Sequence, residues 1–327
     1  MQRDTRPRDE PVATNRHAIA RVLTSRIPLE APVRGRRPRR AMAARVRPKR
    51  ASVAGHFGEL LQGRLGPGGP LALVTLPAPP LSVTAELRPG SFRLHSADGR
   101  WPIDRAQVAA LHRALGGVPS GGLVLRTEMT AGGGAGSSTA ALLAAAAVIA
   151  AAHGLPPPGA ERLARLCLAL EGATDPLMHP APARLLWDPR RALVLGTLPE
   201  LPALELVGGF HGPGVRTDPG DLDFADIADL ASAWGPAALR GDLATLAGLA
   251  TESARRNVAR RGGPDLGGLL AAAGRFGALG IVAAHTGSAR GLLFAPGGGS
   301  RQACDALRAL GMADVRHFRL GRPLSAR

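Results

Sequence analysis

Thr130-Ala-Gly-Gly-Gly-Ala-Gly-Ser-Ser-Thr-Ala, residues 130–140, is the stretch on which the fold turns. Before it, Leu123-Val-Leu-Arg-Thr-Glu-Met reads as a strand. After it, an alanine-rich run reads as a helix reaching His153, where Gly154 and Pro156 to Pro158 stop it. A strand, a glycine turn and a helix N-terminus gather backbone N–H groups around one concavity. The first helical N–H groups have no intrahelical partner and lie at the positive end of the macrodipole. Such a site holds a polyphosphate without a lysine. That matters here, because Lys49 is the only lysine and no Gly-Lys-Ser/Thr loop is present. Ser137 and Ser138 are placed either to cap the helix or to reach a phosphate oxygen or Mg²⁺. Taken alone, the loop reads equally as a phosphate cradle and as a plain turn closed by a serine. Gly132-x-Gly-x-Gly departs from the GxGxxG spacing, and its depth in the chain argues against a dinucleotide fold.

Outward from the loop, strand and helix patterns interleave. Residues 51–54 read as a short strand broken by Gly55 and Gly58. Residues 71–76 and 81–87 read as two strands parted by Pro77, Pro79 and Pro80. Further strands are expected at 92–95, 193–198, 204–208, 281–284 and 291–295. Helices are expected at 103–115, 159–171, 222–233, 243–258, 266–279 and 303–310. The fold class is therefore α+β in two domains, 51–195 and 196–327, behind an Arg- and Pro-rich extension over 1–50.

Charge is concentrated in that extension. Of the formal +16, residues 1–50 carry fifteen Arg/Lys against four Asp/Glu, a net +11, which leaves +5 for the other 277 residues. Such a block reads as a disordered, solvated tail, with Met42 as an alternative start. A nucleic-acid partner is not expected, since the chain has seven Phe, three Trp and no Tyr to stack on bases. Cys167 and Cys304 stand far apart in apolar helical patterns, which suits reduced core residues of a cytoplasmic protein. The longest apolar run, 140–152, is too short to span a membrane.

Three motifs in order resemble the GHMP kinases, a family that includes galactokinase, homoserine kinase and mevalonate kinase. Ser52-Val-Ala-Gly-His-Phe-Gly-Glu-Leu-Leu-Gln-Gly (52–63) is similar to their first signature, and Gly134-Ala-Gly-Ser-Ser-Thr-Ala to their second. Ala284-His-Thr-Gly-Ser-Ala-Arg-Gly-Leu-Leu-Phe (284–294) is similar to their third. Within that family, Gly-Glu-Leu-Leu-Gln-Gly, Ser-Ser-Thr-Ala and Glu171-Gly-Ala-Thr-Asp-Pro most resemble the L-threonine kinases of cobalamin biosynthesis. His56, Gly172-Ala173 and Ala141 depart from that group's pattern.

The resemblance implies a two-domain GHMP kinase fold, with an N-terminal ribosomal-protein-S5-like domain and a C-terminal ferredoxin-like domain. It implies ATP as phosphoryl donor, Mg²⁺ as cofactor and a small alcohol as acceptor, L-threonine first. ATP would lie on Gly132, Gly133, Gly134, Ala135, Gly136, Ser137, Ser138 and Thr139. Ser138 and Glu171 would hold Mg²⁺, and Asp175 would be the base or orienting group for the acceptor hydroxyl. Read locally, Asp175-Pro176 is equally an ordinary turn. Substrate contacts would come from Glu59, Gln62, Thr286, Gly287 and Ser288.

Overall fold

The computed structural model describes residues 49–321 apart from 131, 216 and 264. The expected disorder of the Arg-rich extension, apart from its last two residues, concerns residues outside that range.

The first half is built on a long antiparallel pair, β1 (Lys49–Arg64) and β2 (Leu71–Arg88). Each absorbs a break that the sequence suggests. Residues 51–54 continue through Gly55 and Gly58, and the runs on either side of the prolines are one strand. The reason lies in the register, which shifts at Ala54/Gly55 and again near His56 and Glu59. Pro77 sits opposite His56 within this irregular stretch. A proline without an N–H is tolerated where the ladder is already interrupted. β2 continues to β4 (Gly122–Thr127), which pairs in parallel with β3 (Arg93–Ser96) across α1 (Arg105–Ala114). α1 is closed by a capping box between Asp104 and Gln107.

From β4 the chain passes through the glycine loop into α2 (Ser137–Ala152). This helix is apolar all round, with Leu142, Val148, Ile149 and most of its alanines buried against β1 and β2. Alanine suits the position because a small side chain lets helix and sheet backbones approach closely. α3 (Ala160–Glu171) follows, ending at Gly172 in the left-handed conformation. An unanticipated strand, β5 (Leu185–Asp188), pairs with β6 (Leu193–Thr197) and touches β2 through Leu73 and Trp187.

The second half runs β7 (Leu204–Phe210), α4 (Ala228–Arg240), α5 (Leu243–Arg261), α6 (Gly267–Phe276), β8 (Gly280–Ala283), β9 (Ala289–Phe294), α7 (Arg301–Ala309) and β10 (Ala313–Leu320). Its strands lie in the order β10-β7-β9-β8, all antiparallel, which is the ferredoxin-like arrangement. Two expectations need correction. The helix expected at 222–233 begins only at Ala228, because the backbone before it is spent on the end of β1. There Arg64 N–H donates to Ala225 O (2.8 Å) and Ile227 N–H to Arg64 O (2.9 Å). Nor was β10 foreseen, since only Phe318 and Leu320 of its eight residues are buried. An edge strand with so polar a sequence carries little periodic signal.

The two halves meet in one sheet through a single residue pair, Glu59 opposite Ala283. Gln62 reinforces the junction. Its side-chain Nε2 donates to Ala283 O (3.0 Å), and its backbone N–H donates to Ser253 Oγ on α5 (2.9 Å). The first, second and third sequence motifs all converge beside this seam.

Candidate active site

A cleft of about 280 Å³ opens where the glycine loop faces the segment 173–175 and the turn after β8. In the loop, Gly132, Gly134 and Gly136 all take left-handed φ values, 67°, 73° and 69°. A Cβ at Gly134 would lie 2.2 Å from Thr286 O, so glycine is required by space as well as by φ. Gly136 is itself the N-cap of α2 and offers no side-chain hydrogen bond. The serine cap considered from the sequence is therefore not formed. Ser137 and Ser138 occupy the first helical turn, half-buried, and line the cleft instead.

The loop is held from three directions by backbone bonds. His56 N–H donates to Ala135 O (3.0 Å), Ser288 and Ala289 N–H donate to Gly133 O (3.1 and 2.8 Å), and Val215 N–H donates to Gly132 O (2.8 Å). Gly133, Gly287 and the backbone of Ser288 are thus scaffold for the loop, with Gly287 too close to Gly133 and Gly134 to carry a side chain. Ser288 itself is buried. Thr286 lines the cleft, its hydroxyl sharing a hydrogen bond with Thr217 (2.8 Å).

Asp175 lines the cleft opposite the loop, its side chain 19 % exposed. It does not stand alone. His56 Nε2 lies 3.3 Å from Asp175 Oδ2, while Nδ1 lies 3.3 Å from Gly58 O and 3.6 Å from Glu59 Oε1. The irregular stretch of β1 is what turns His56 towards Asp175 and leaves Glu59 behind it. Burial opposes a charge on His56, but the carboxylates of Asp175 and Glu59 outweigh it and raise its pKa to about 9. Burial lifts Glu59, fully enclosed, to about 8 against the pull of His56. Burial also works against ionised Asp175, yet His56 holds its pKa below the ordinary value, with Thr139 contributing. At neutral pH the group is an imidazolium between an ionised Asp175 and a neutral Glu59.

Ligating atoms of His56, Glu59 and Asp175 all lie within 4.8 Å of one another. The imidazole sits between the carboxylates with one nitrogen facing each, so the arrangement is an ion triad and not three donors converging on a metal. Hard oxygen donors stand elsewhere in the cleft. Ser138 and Glu171 both line it and present hard oxygen donors of the kind Mg²⁺ takes. Glu171 also accepts a hydrogen bond from Thr139 Oγ1 (3.0 Å), so the Thr139 hydroxyl is turned towards the carboxylate.

Four of the five residues expected to touch substrate lie outside the lining, Gly287 and Ser288 among them. Gln62 is committed to the β1–β8 seam, and Glu59 is screened by His56. Conversely, the sequence reading missed Trp101, Arg190 and Thr217, which line the cleft. It treated His56 only as a departure from a pattern. No local motif marks Trp101, Arg190 or Thr217, since loops brought in from distant positions place them there. His285, also in the lining, is packed on Phe224 at 5.8 Å, and burial lowers its pKa to about 4, so it is neutral.

The architecture is a mixed α/β fold with a glycine-loop site between its halves, and it is the fold of the GHMP kinases. Residues 104–182 match the family model described as the GHMP kinases N terminal domain. No curated protein matches the chain significantly by sequence. Among solved structures, mevalonate kinase of L. major in complex with R-mevalonate is similar at 14 % identity and TM-score 0.58, covering 87 % of this chain and 100 % of that one. Streptococcus pneumoniae phosphomevalonate kinase, in complex with phosphomevalonate and AMPPNP, is similar at 14 % and 0.56, covering 83 % and 100 %. Homoserine kinase from Cytophaga hutchinsonii is similar at 14 % and 0.53, covering 86 % and 96 %. Among the described residues, no helix is long and apolar enough to cross a membrane.

Proposed function

We propose that this chain is an ATP-dependent kinase of a small-molecule hydroxyl, with L-threonine as acceptor and O-phospho-L-threonine as product. The observation that carries the kinase reading is one cleft in which the helix N-terminus behind Gly132–Ser138 faces an ionised Asp175 braced by His56. Loop N–H groups and the positive end of α2 suit the phosphates of ATP. Mg²⁺ held by Ser138 and Glu171 would neutralise charge on those phosphates.

Asp175 would accept the acceptor's proton. In phosphoryl transfer the hydroxyl loses its proton late, so a carboxylate of low pKa suffices if it is well placed. His56 supplies that placement. Its imidazolium keeps Asp175 ionised and fixes the carboxylate against the loop. Threonine specifically is supported by the resemblance of residues 55–63 and 137–140 to the threonine kinases, and the product would then feed the aminopropanol linker of cobalamin in the cytoplasm. The domain division at 195/196 belongs to the same proposal.

ADP release would be measured with Mg-ATP and L-threonine, L-serine, homoserine or mevalonate, on the wild type and Asp175→Asn. Turnover with L-threonine, reduced about 10²-fold or more in the variant, is expected. Turnover with another alcohol alone would remove threonine but keep the kinase. ATP binding without turnover on any acceptor would overturn both.

A further inference from the structure

The sheet formed by β1, β2, β4 and β3 has two unlike faces. Val83, Ala85, Leu87, Leu123 and Leu125 are buried in the core shared with α2. Residues alternating with them point the other way, where the face is polar and open to solvent.

Three neighbouring rows cross that open face. In the first, Arg88 on β2 and Arg93 on β3 flank Gly122 on β4. In the second, Arg50, Glu86, Val124 and His95 follow one another from β1 to β3. The third ends at Arg126, opposite Thr84. Arg50, Arg88, Arg93, His95 and Arg126 are all exposed. Four arginines thus share these rows with one acid, Glu86, which accepts a hydrogen bond from Arg88 Nε (2.8 Å). Among the described residues, neither Arg93 nor Arg126 is paired with an acid. A hollow of about 430 Å³ lies over Gly122, walled by Arg88, Arg93 and His95. The extension, net +11 over residues 1–50, joins the sheet at this end, since Lys49 stands opposite Leu87, next to Arg88.

We propose that this face binds the phosphate backbone of a nucleic-acid duplex without reading its bases. Arginine grips phosphate through paired N–H donors, and such contacts give affinity that is independent of sequence. Strands about 4.8 Å apart make four of them roughly 14 Å wide. That is comparable with the ~12 Å major groove, so phosphates of both duplex strands come within reach. The scarcity of aromatics disfavours stacking on single-strand bases, but backbone contacts need no aromatic ring. A lipid surface suits the face less. Among the described residues, none of the large exposed apolar side chains lies on these four strands. The proposal is independent of the kinase reading, because the face lies on the side of the sheet away from α2.

Fluorescence anisotropy of a labelled duplex of about 20 base pairs and arbitrary sequence would be measured against the full chain, between about 50 and 200 mM salt. A dissociation constant of about 10⁻⁶–10⁻⁴ M near physiological salt is expected, weakening steeply as salt rises. Arg93→Gln combined with Arg126→Gln should weaken binding at least about fivefold and flatten the log–log salt slope by about 2. Arg275→Gln combined with Arg301→Gln, two exposed positions in the second half, removes the same charge and should leave the slope unchanged. ADP release should be equal in all three proteins.

No binding of the duplex would overturn the proposal. Binding that survives loss of Arg93 and Arg126 would also overturn it, by assigning affinity to the extension alone. Equal losses in the two double variants would reduce the effect to net charge and remove the face as a site. Tighter binding to phosphatidylserine vesicles than to duplex, lost with the same two arginines, would assign the face to a membrane instead. Should the double variant not fold, each single variant carries the same test with a slope change of about 1.

Discussion

His56, Glu59 and Asp175 form a three-residue unit whose charge depends on pH. Near pH 7 it holds an imidazolium, a carboxylate and a neutral acid, for a net charge of zero. Above about pH 9 both Glu59 and His56 have lost their protons, and the same buried volume carries two negative charges. Affinity for ATP, itself an anion, should therefore fall between pH 8 and pH 10. A pH series of the ATP KM checks this, and in His56→Gln the steepest part of that dependence should disappear. Stability follows the same sign. Both folded pKa values are raised, so the stabilisation is complete below the unfolded values. It is lost as pH rises through about 8 for Glu59 and about 9 for His56. A falling melting temperature from pH 7 to pH 9.5, shallower in the Glu59→Gln variant, is the expected result.

At the scale of elements, the loop and α2 act as one piece. Three left-handed glycines alternate with Gly133 and Ala135, whose carbonyls are bonded to Ser288 and Ala289 of the second half and to His56 on β1, so the loop is fixed before any nucleotide arrives. Gly134→Ala sets a Cβ against the Thr286 carbonyl and demands a positive φ of alanine. The backbone strain alone costs about 1–2 kcal/mol, and the clash adds to it. Nucleotide affinity is expected to drop at least about tenfold, measured by titration, with the secondary structure retained by circular dichroism. Leu142 tests the other end of the argument. It is 1 % exposed on the helix face against the sheet, and Leu142→Ala should lower stability by about 2–5 kcal/mol in denaturant melts without a specific effect on acceptor KM.

For the whole molecule, the cleft depends on two halves of one sheet being joined across a narrow seam. Ser253→Ala removes the hydroxyl that accepts from the Gln62 backbone and leaves a buried N–H unpaired, a loss of about 1–3 kcal/mol. The expected sign of seam loosening is a turnover defect larger than the binding defect, because the second half braces the loop at Gly133 O while Asp175 is braced within the first half by His56. Far from the cleft, Glu205 anchors the outer strands. Its carboxylate accepts from Gly297 N–H (2.9 Å), Gly299 N–H (3.0 Å), His317 (3.1 Å) and Arg319 (2.9 Å). Burial acts against ionisation there, but these donors prevail and lower its pKa to about 2. That contribution is present above about pH 4.5 and lost as pH falls through about 2, so acid melts of wild type and Glu205→Gln should draw together below pH 4.5 and converge only near pH 2.

From the sequence alone came the strand–loop–helix at 123–153, the order of three motifs and the presence of Asp175, because local glycine spacing and apolar periodicity encode them directly. Residues 71–88 looked like two strands, since a proline's effect depends on whether its neighbour in the ladder needs an N–H. The helix at 228–240 started late for a similar reason, the preceding backbone being bonded to Arg64. Tertiary structure alone decided that His56 faces Asp175, that Gln62 ties the two halves of the sheet together instead of lining the cleft, and that Arg190 lies beside it. Those outcomes are set by side chains meeting across 119 residues between His56 and Asp175 and 221 between Gln62 and Ala283, distances over which no spacing rule in the chain operates.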